Sequence, residues 1–234
     1  MSAAVVVLVH GAWHDASTWY RVTPLLDDGG VAWRALDLPS VYPSPTLPQL
    51  ADDIAAVTTL LDGIDSPVVL VGHSYGGMVI SAAGHHPRVR HLVYLSAFAP
   101  DEGENVLDLG IGDPAPLTVE AVIFHDDGTM SIDPALAVAT FYHDVEPAEA
   151  DRRVSALRAT TAAVFSAAAG PPAWRAVPST AVVCTEDRAI SVDRLEQMAE
   201  RTGGDVVRWA SSHSPFLSHP TDVAALLVGL ASSQ

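Results

Sequence analysis

The sequence predicts an α/β protein with a mainly parallel sheet of about six strands, helices on both faces and a helical insertion over one end. Three observations carry this. Short apolar runs alternate with amphipathic stretches, and a β–α–β–α order joins its strands in parallel. The run Val68, Val69, Leu70, Val71 passes through a glycine-rich turn straight into a second apolar stretch, Met78, Val79, Ile80, which reads as a helix. The alternation then lapses between about 101 and 177 and resumes afterwards.

Taken in order, "AVVVLV" at 4–9 is the first strand, and "STWYRVTPLL" at 17–26 reads as a helix with Ser17 at its N-cap. A strand at 31–38 is followed by a Pro- and Ser-rich loop at 39–48. Leu50, Ile54, Val57 and Leu61 recur at helical spacing across 49–62. The strand at 67–72 and a helix at about 75–85 come next, then "HLVYLSAF" at 91–98. Strands at 180–185 and 205–210 are each followed by a helix, at 191–202 and 221–232. The stretch 101–177 carries acidic loops ("PDEGEN", "HDDG"), turn-forming prolines and helical patches near 134–143 and 147–168. It has too few apolar residues for a core of its own, so the chain reads as a single domain, 1–234, with a cap or lid insertion.

Composition narrows the partners. Hydrophobic residues make up 49% and charged residues 17%, as in a globular chain. The net charge is −16, all 12 basic residues are arginine, and no basic stripe is present. Nucleic acid and anionic lipid are therefore not expected partners, since both need clustered cations. The single cysteine, Cys184, lies in "AVVCT" and reads as a buried core residue. The N-terminal apolar run is short, lacks a preceding basic residue and continues into "HGAW". It reads as a strand, and the chain as cytoplasmic. A small-molecule ligand and a monomer or homodimer are the expectation.

The candidate chemistry starts at Gly72-His73-Ser74-Tyr75-Gly76, a G-x-S-x-G pattern with a strand before it and a helix after it. Glycines permit a tight turn that thrusts the serine out at the strand's carboxyl end. A serine hydroxyl needs a base, and the base needs an orienting acid; elbows of this kind take them in the chain order Ser, acid, His. His213 follows the last strand in "RWASSHSPF" and is favoured over His219, which lies beside Pro220 at a helix start. Glu186 and Asp187 both follow the preceding strand, and either suits the acid. Donors for a developing oxyanion are expected from the N–H groups of Ala12, in the small-residue loop after the first strand, and of Tyr75.

Together, "HGAW", "GHSYGG", "CTEDRAI" and "SSHSPFLSHP" resemble the α/β-hydrolase superfamily. The likeness is to its small branch of plant methyl esterases, hydroxynitrile lyases and bacterial esterases that act on pyrethroids. It covers most of 5–100 and 178–232, and only loosely the cap through "FYHDVEPAEADRRVSALR". It implies an α/β-hydrolase fold, no metal, no organic cofactor, and an acid at the last residue of the C-T-E-D stretch, Asp187. It also implies a serine hydrolase for a small or medium neutral ester, working through an acyl-enzyme. The same fold serves cyanohydrin lyases and non-catalytic ligand-binding proteins that retain the triad. The lyase pattern has a threonine after the first histidine of the oxyanion loop and a lysine after the catalytic histidine, where this chain has Gly11 and Ser214. His85, His86 and His125, the last beside Asp126 and Asp127, make no metal set.

Candidate pocket residues are Trp13 and His14 beside the oxyanion loop, and Phe98 at a strand end. The cap contributes Phe124, Phe141, Tyr142, Phe165 and Trp174, of which about half are expected to pack the cap onto the sheet. The cap is expected to govern substrate choice rather than the chemistry.

Overall fold

Valine-rich runs too short and too uniformly apolar for amphipathic helices form the centre of the molecule. The computed structural model describes residues 4–41, 46–110 and 116–233. Its first half contains β1 (Val5–Val9), α1 (Thr23–Asp28), β2 (Trp33–Leu36), α2 (Leu50–Asp62), β3 (Val68–Ser74), α3 (Gly76–Ala83) and β4 (Val89–Ala97). Next come α4 (Val106–Leu109), α5 (Thr118–Ala121), β5 (Val122–Phe124), β6 (Thr129–Ile132), α6 (Pro134–Phe141), α7 (Pro147–Ala156) and β7 (Thr160–Thr161). The chain ends with β8 (Ser179–Cys184), α8 (Val192–Thr202), β9 (Asp205–Trp209), α9 (Pro215–Ser218) and α10 (Pro220–Ser232).

The main sheet is six-stranded in the order β2-β1-β3-β4-β8-β9, and every pairing is parallel. The inner strands are buried along nearly their whole length, which requires cover on both faces. That cover comes from two helix pairs, α1 with α10 and α2 with α3, and from α8 against β8. From β1 the chain leaves to β2 on one side and returns to β3 on the other. The carboxyl ends of β1 and β3 thus flank the point where strand order reverses, where open α/β sheets bind their ligands.

The six predicted strands are all present, their ends shifted by at most two residues. Four local expectations are corrected. The helix expected at 17–26 is a 3₁₀ turn, Ala16–Trp19, followed by the short α1. Asp15, not Ser17, caps that turn, because its carboxylate accepts from both the Ser17 N–H (3.0 Å) and hydroxyl (2.5 Å). The helical patch at 147–168 stops at Ala156 and gives way to β7 and a 3₁₀ turn. The "HDDG" loop is the turn of a hairpin between β5 and β6, part of a three-stranded antiparallel sheet β5-β6-β7 that the sequence did not reveal. Asp127 accepts from the Thr129 N–H and hydroxyl, and Gly128 takes φ +83 to close it. Within the expected loop at 39–48, Pro39–Val41 form a 3₁₀ turn, and 42–45 lie outside the described residues. Cys184 is buried at the end of β8 with its thiol pKa pushed up by burial, as a core residue. Among the described residues no helix is long and apolar enough to cross a membrane.

Candidate active site

Ser74 ends β3 in a left-handed conformation, φ +52, which a non-glycine residue adopts only when its surroundings enforce it. Those surroundings leave no slack. A Cβ on Gly76 would lie 2.7 Å from the His10 carbonyl oxygen, so only glycine lets α3 start this close to the end of β1. A Cβ on Gly11 would lie 2.8 Å from the Ser74 Cβ, so the loop after β1 passes directly over the serine. A Cβ on Gly72 would lie 2.6 Å from the Gly76 carbonyl oxygen, so both glycines of the G-x-S-x-G spacing are required by the turn.

Asp187 and His213 meet across the ends of β8 and β9. Asp187 Oδ2 lies 2.6 Å from His213 Nδ1, and both side chains are buried. The Nδ1–H therefore donates to the carboxylate, which leaves Nε2 as the acceptor face of the ring. Three further donors hold the carboxylate. The Ala189 and Ile190 N–H groups reach Oδ1 at 2.7 and 2.9 Å, and the Ser96 hydroxyl reaches Oδ2 at 2.5 Å. Glu186 is exposed, and His219 bonds the neighbouring Ser218 hydroxyl at the start of α10. Neither takes part in the pair.

Sequence reasoning missed Ser96. It is the extra residue where β4 shifts register against β3, His73 facing Leu95 and Ser74 facing Ala97, and its φ is +44. Such an irregularity re-aims a side chain beside a functional site. Also missed was His73, whose Nε2–H donates to the His213 carbonyl oxygen at 2.9 Å, with ring centroids 4.6 Å apart.

His10, His14 and His73 form a buried layer under the site, and each is held below the ordinary histidine range, chiefly by burial. Their partners fix neutral tautomers. His10 donates from Nδ1 to the Gly11 carbonyl and accepts the Leu38 N–H at Nε2. His14 donates from Nδ1 to the Ala12 carbonyl and accepts the Tyr142 hydroxyl at Nε2; its pKa is lowered to about 4. Among the described residues, no three His, Cys, Asp or Glu side chains gather to hold a metal.

Ser74 and His213 open into one cavity of about 430 Å³, a volume typical of small-molecule sites. No hydrogen bond joins the Ser74 hydroxyl to the His213 ring; such contacts are often long before substrate binds. The N–H groups of Ala12 and Tyr75, on the two loops that meet at Ser74, have no protein acceptor among the described residues. Of the predicted pocket residues, Trp13, Phe98, Phe124, Phe141 and Phe165 line the cavity. His14, Tyr142 and Trp174 do not. The first two are bonded to each other in the interior, and the Trp174 indole N–H is tied to the Pro100 carbonyl at the base of the insertion. No charged side chain lines the cavity among the described residues.

An elbow serine, a carboxylate-bound histidine and a shared cavity at the strand-order reversal place the molecule among hydrolase-type α/β proteins. The chain belongs to the alpha/beta hydrolase family, whose pattern matches residues 6–226. It is 30% identical to the alpha/beta hydrolase nvfD of Aspergillus novofumigatus over 97% of this chain and 96% of that one. It is 28% identical to Methylesterase 1 of Arabidopsis thaliana, over 96% and 95% of the respective chains. The pyrethroid hydrolase from Sphingobium faniae superposes with a TM-score of 0.83 at 22% identity, covering 98% of both chains, and so shares the fold.

Proposed function

We propose that this chain is a serine esterase that hydrolyses a small or medium neutral carboxylic ester, with Ser74 as nucleophile, His213 as general base and acid, and Asp187 as orienting acid. The observation that carries the reading is that Ser74 and His213 share one apolar cavity while the other His213 nitrogen is bonded to Asp187. The likeness to a methylesterase along nearly the whole chain supports it.

In this mechanism the Ser74 hydroxyl gives its proton to His213 Nε2 as its oxygen attacks the ester carbonyl carbon. The resulting oxyanion takes the N–H groups of Ala12 and Tyr75, which no protein oxygen among the described residues occupies. Collapse breaks the ester bond, and the alcohol leaves with the proton from His213. Water then attacks the acyl-enzyme by the same route, releasing the acid and restoring Ser74. Asp187 keeps the His213 ring in the tautomer this sequence requires. The segment between β4 and β8 acts as a cap: its Phe124, Met130, Phe141 and Phe165 line the cavity, so it selects an apolar, uncharged substrate.

Cyanohydrin cleavage is disfavoured because Gly11 and Ser214 stand where the lyase pattern has threonine and lysine, and the chain has no lysine to stabilise cyanide by charge. The test is hydrolysis of p-nitrophenyl acetate and butyrate with an acyl-enzyme burst, alongside mandelonitrile. A fluorophosphonate should add one label, on the peptide that contains Ser74. Cyanide release that depends on Ser74, without ester hydrolysis, would replace this reading with the lyase. Binding without turnover of any ester would replace it with a receptor.

A further inference from the structure

The loop over Ser74 is not held by the sheet that delivers it. Ala12 and Trp13 have four backbone polar groups between them. The Ala12 carbonyl accepts from His14 Nδ1 at 2.8 Å, the Trp13 N–H donates to Thr160 Oγ1 at 2.9 Å, and the Trp13 carbonyl accepts the Arg158 N–H at 2.8 Å. Only the Ala12 N–H is left without a protein acceptor among the described residues. Trp13 itself sits at φ +62, a conformation that a bulky residue does not hold unaided.

Both groups that clamp Trp13 come from the segment inserted between β4 and β8. Thr160 is wholly buried and pairs with Met130 in the small antiparallel sheet. Arg158 adds an ion pair to Asp15, and the Tyr142 hydroxyl reaches His14, so the insertion grips the loop from Trp13 to Asp15. The next residue, Thr161, gives a contrast: it is equally buried, yet its hydroxyl oxygen has no partner among the described residues.

The geometry points to Thr160 as a positioning residue for ester hydrolysis: its hydroxyl oxygen, with the Arg158 N–H, locks the left-handed Trp13 and thereby aims the Ala12 N–H at the oxyanion. The inference rests on the esterase reading and adds a role for the insertion in the chemical step itself. A misaimed donor weakens transition-state binding without weakening substrate binding, so the loss falls on kcat.

The test compares Thr160→Val, which keeps the shape and removes the acceptor, with Thr160→Ser, which keeps the acceptor, and with Thr161→Val. Each is assayed on p-nitrophenyl butyrate, by inhibition with an aryl trifluoromethyl ketone, and by thermal unfolding, with Ser74→Ala alongside. Deleting a whole oxyanion donor lowers kcat about 10²–10³-fold, so misaiming one should lower it by about 10–100-fold. The expected result is that loss for Thr160→Val with KM within about twofold, trifluoromethyl ketone affinity falling in step with kcat, recovery in Thr160→Ser, and a silent Thr161→Val. Equal losses in Thr160→Val and Thr161→Val, a loss confined to KM, or an unchanged kcat would overturn it. So would failure of Thr160→Val to fold beside a folded Thr160→Ser, which would make the hydroxyl a requirement of the fold. Full activity in Ser74→Ala would sink the esterase reading beneath it, whereas an inactive Ser74→Ala beside a fully active Thr160→Val would sink the clamp alone.

Discussion

The two loops that meet at Ser74 are anchored in opposite ways. On the β3 side, the Tyr75 hydroxyl donates to Asp53 Oδ2 at 2.7 Å, and Asp53 also accepts the Ser40 N–H and hydroxyl, all in the interior beneath the sheet. On the β1 side, Trp13 is held by Thr160 and Arg158 from a segment more than a hundred residues away in the chain. One loop is a product of the core, and the other depends on the insertion having docked. The comparison teaches that damage to the first should appear as lost stability and damage to the second as lost rate.

The largest effect lies where the two sides converge. Ser74→Ala and His213→Ala should each lower turnover by about 10⁴-fold or more while leaving the protein folded, and His219→Ala should stay active. Steady-state kinetics with a circular-dichroism melt check this; loss of activity in His219→Ala instead of His213→Ala would reassign the base.

On the core side, Asp53→Ala strands three buried donors, so a destabilisation of about 3 kcal/mol is expected, a fall in Tm of about 6–12 °C for a chain of this size. A melt within 2 °C of the parent, against the ~3 kcal/mol that such a buried network implies, would show that Tyr75 is not anchored there.

Acid should act through the buried histidines. Burial holds His14 at about 4 in the folded chain against an ordinary value of about 6.5, so between these values the unfolded chain takes up a proton that the folded one refuses. Its contribution, about 3 kcal/mol, is present above pH ~6.5 and drains away as pH falls toward 4. His10 and His73 act in the same sense, and Asp53, raised by burial, opposes them near the bottom of that range. Denaturant titrations at intervals across this window should show stability falling with acid, and His14→Gln should flatten the slope.

The smallest effect concerns selection. Phe165 lines the cavity and stacks parallel to Tyr75, with centroids 6.1 Å apart, so Phe165→Ala should change the relative rates on acetate and hexanoate esters several-fold. Trp174 lies outside the cavity, and Trp174→Ala should leave that ratio unchanged.

The same division separates what was legible in the sequence from what was not. The six strands and the elbow could be read because valine runs and the spacing of Gly72 and Gly76 around Ser74 are local signals. His213, and an acid at Glu186 or Asp187, could be placed because each follows its own strand; the family resemblance singled out Asp187. Ser96 and Thr160 could not. Each is an ordinary hydroxyl residue whose partner is 91 or 147 positions away, and a long-range contact leaves no local period. The β5–β6 hairpin was hidden by "HDDG", whose acidic residues suggest a solvated loop although Asp127 and Gly128 build the turn. His14 and Tyr142 looked like pocket residues because sequence gives their neighbourhood but not which way they point, and they point at each other.

The extra residue at Ser96 separates the main run of β4 from its end. From His91 to Leu95 the strand faces β3 in one unbroken register; from Ala97 onward the count is offset by one, and Phe98 reaches the cavity wall. The strand is therefore a vernier between scaffold and pocket. A deletion of Ser96 would make Leu95 and Ala97 consecutive against His73 and Ser74, so the pairing would close without an irregularity while Asp187 lost its hydroxyl donor. The support of Asp187 can thus be lost from the chain by a single-residue deletion that leaves the strand pairing intact.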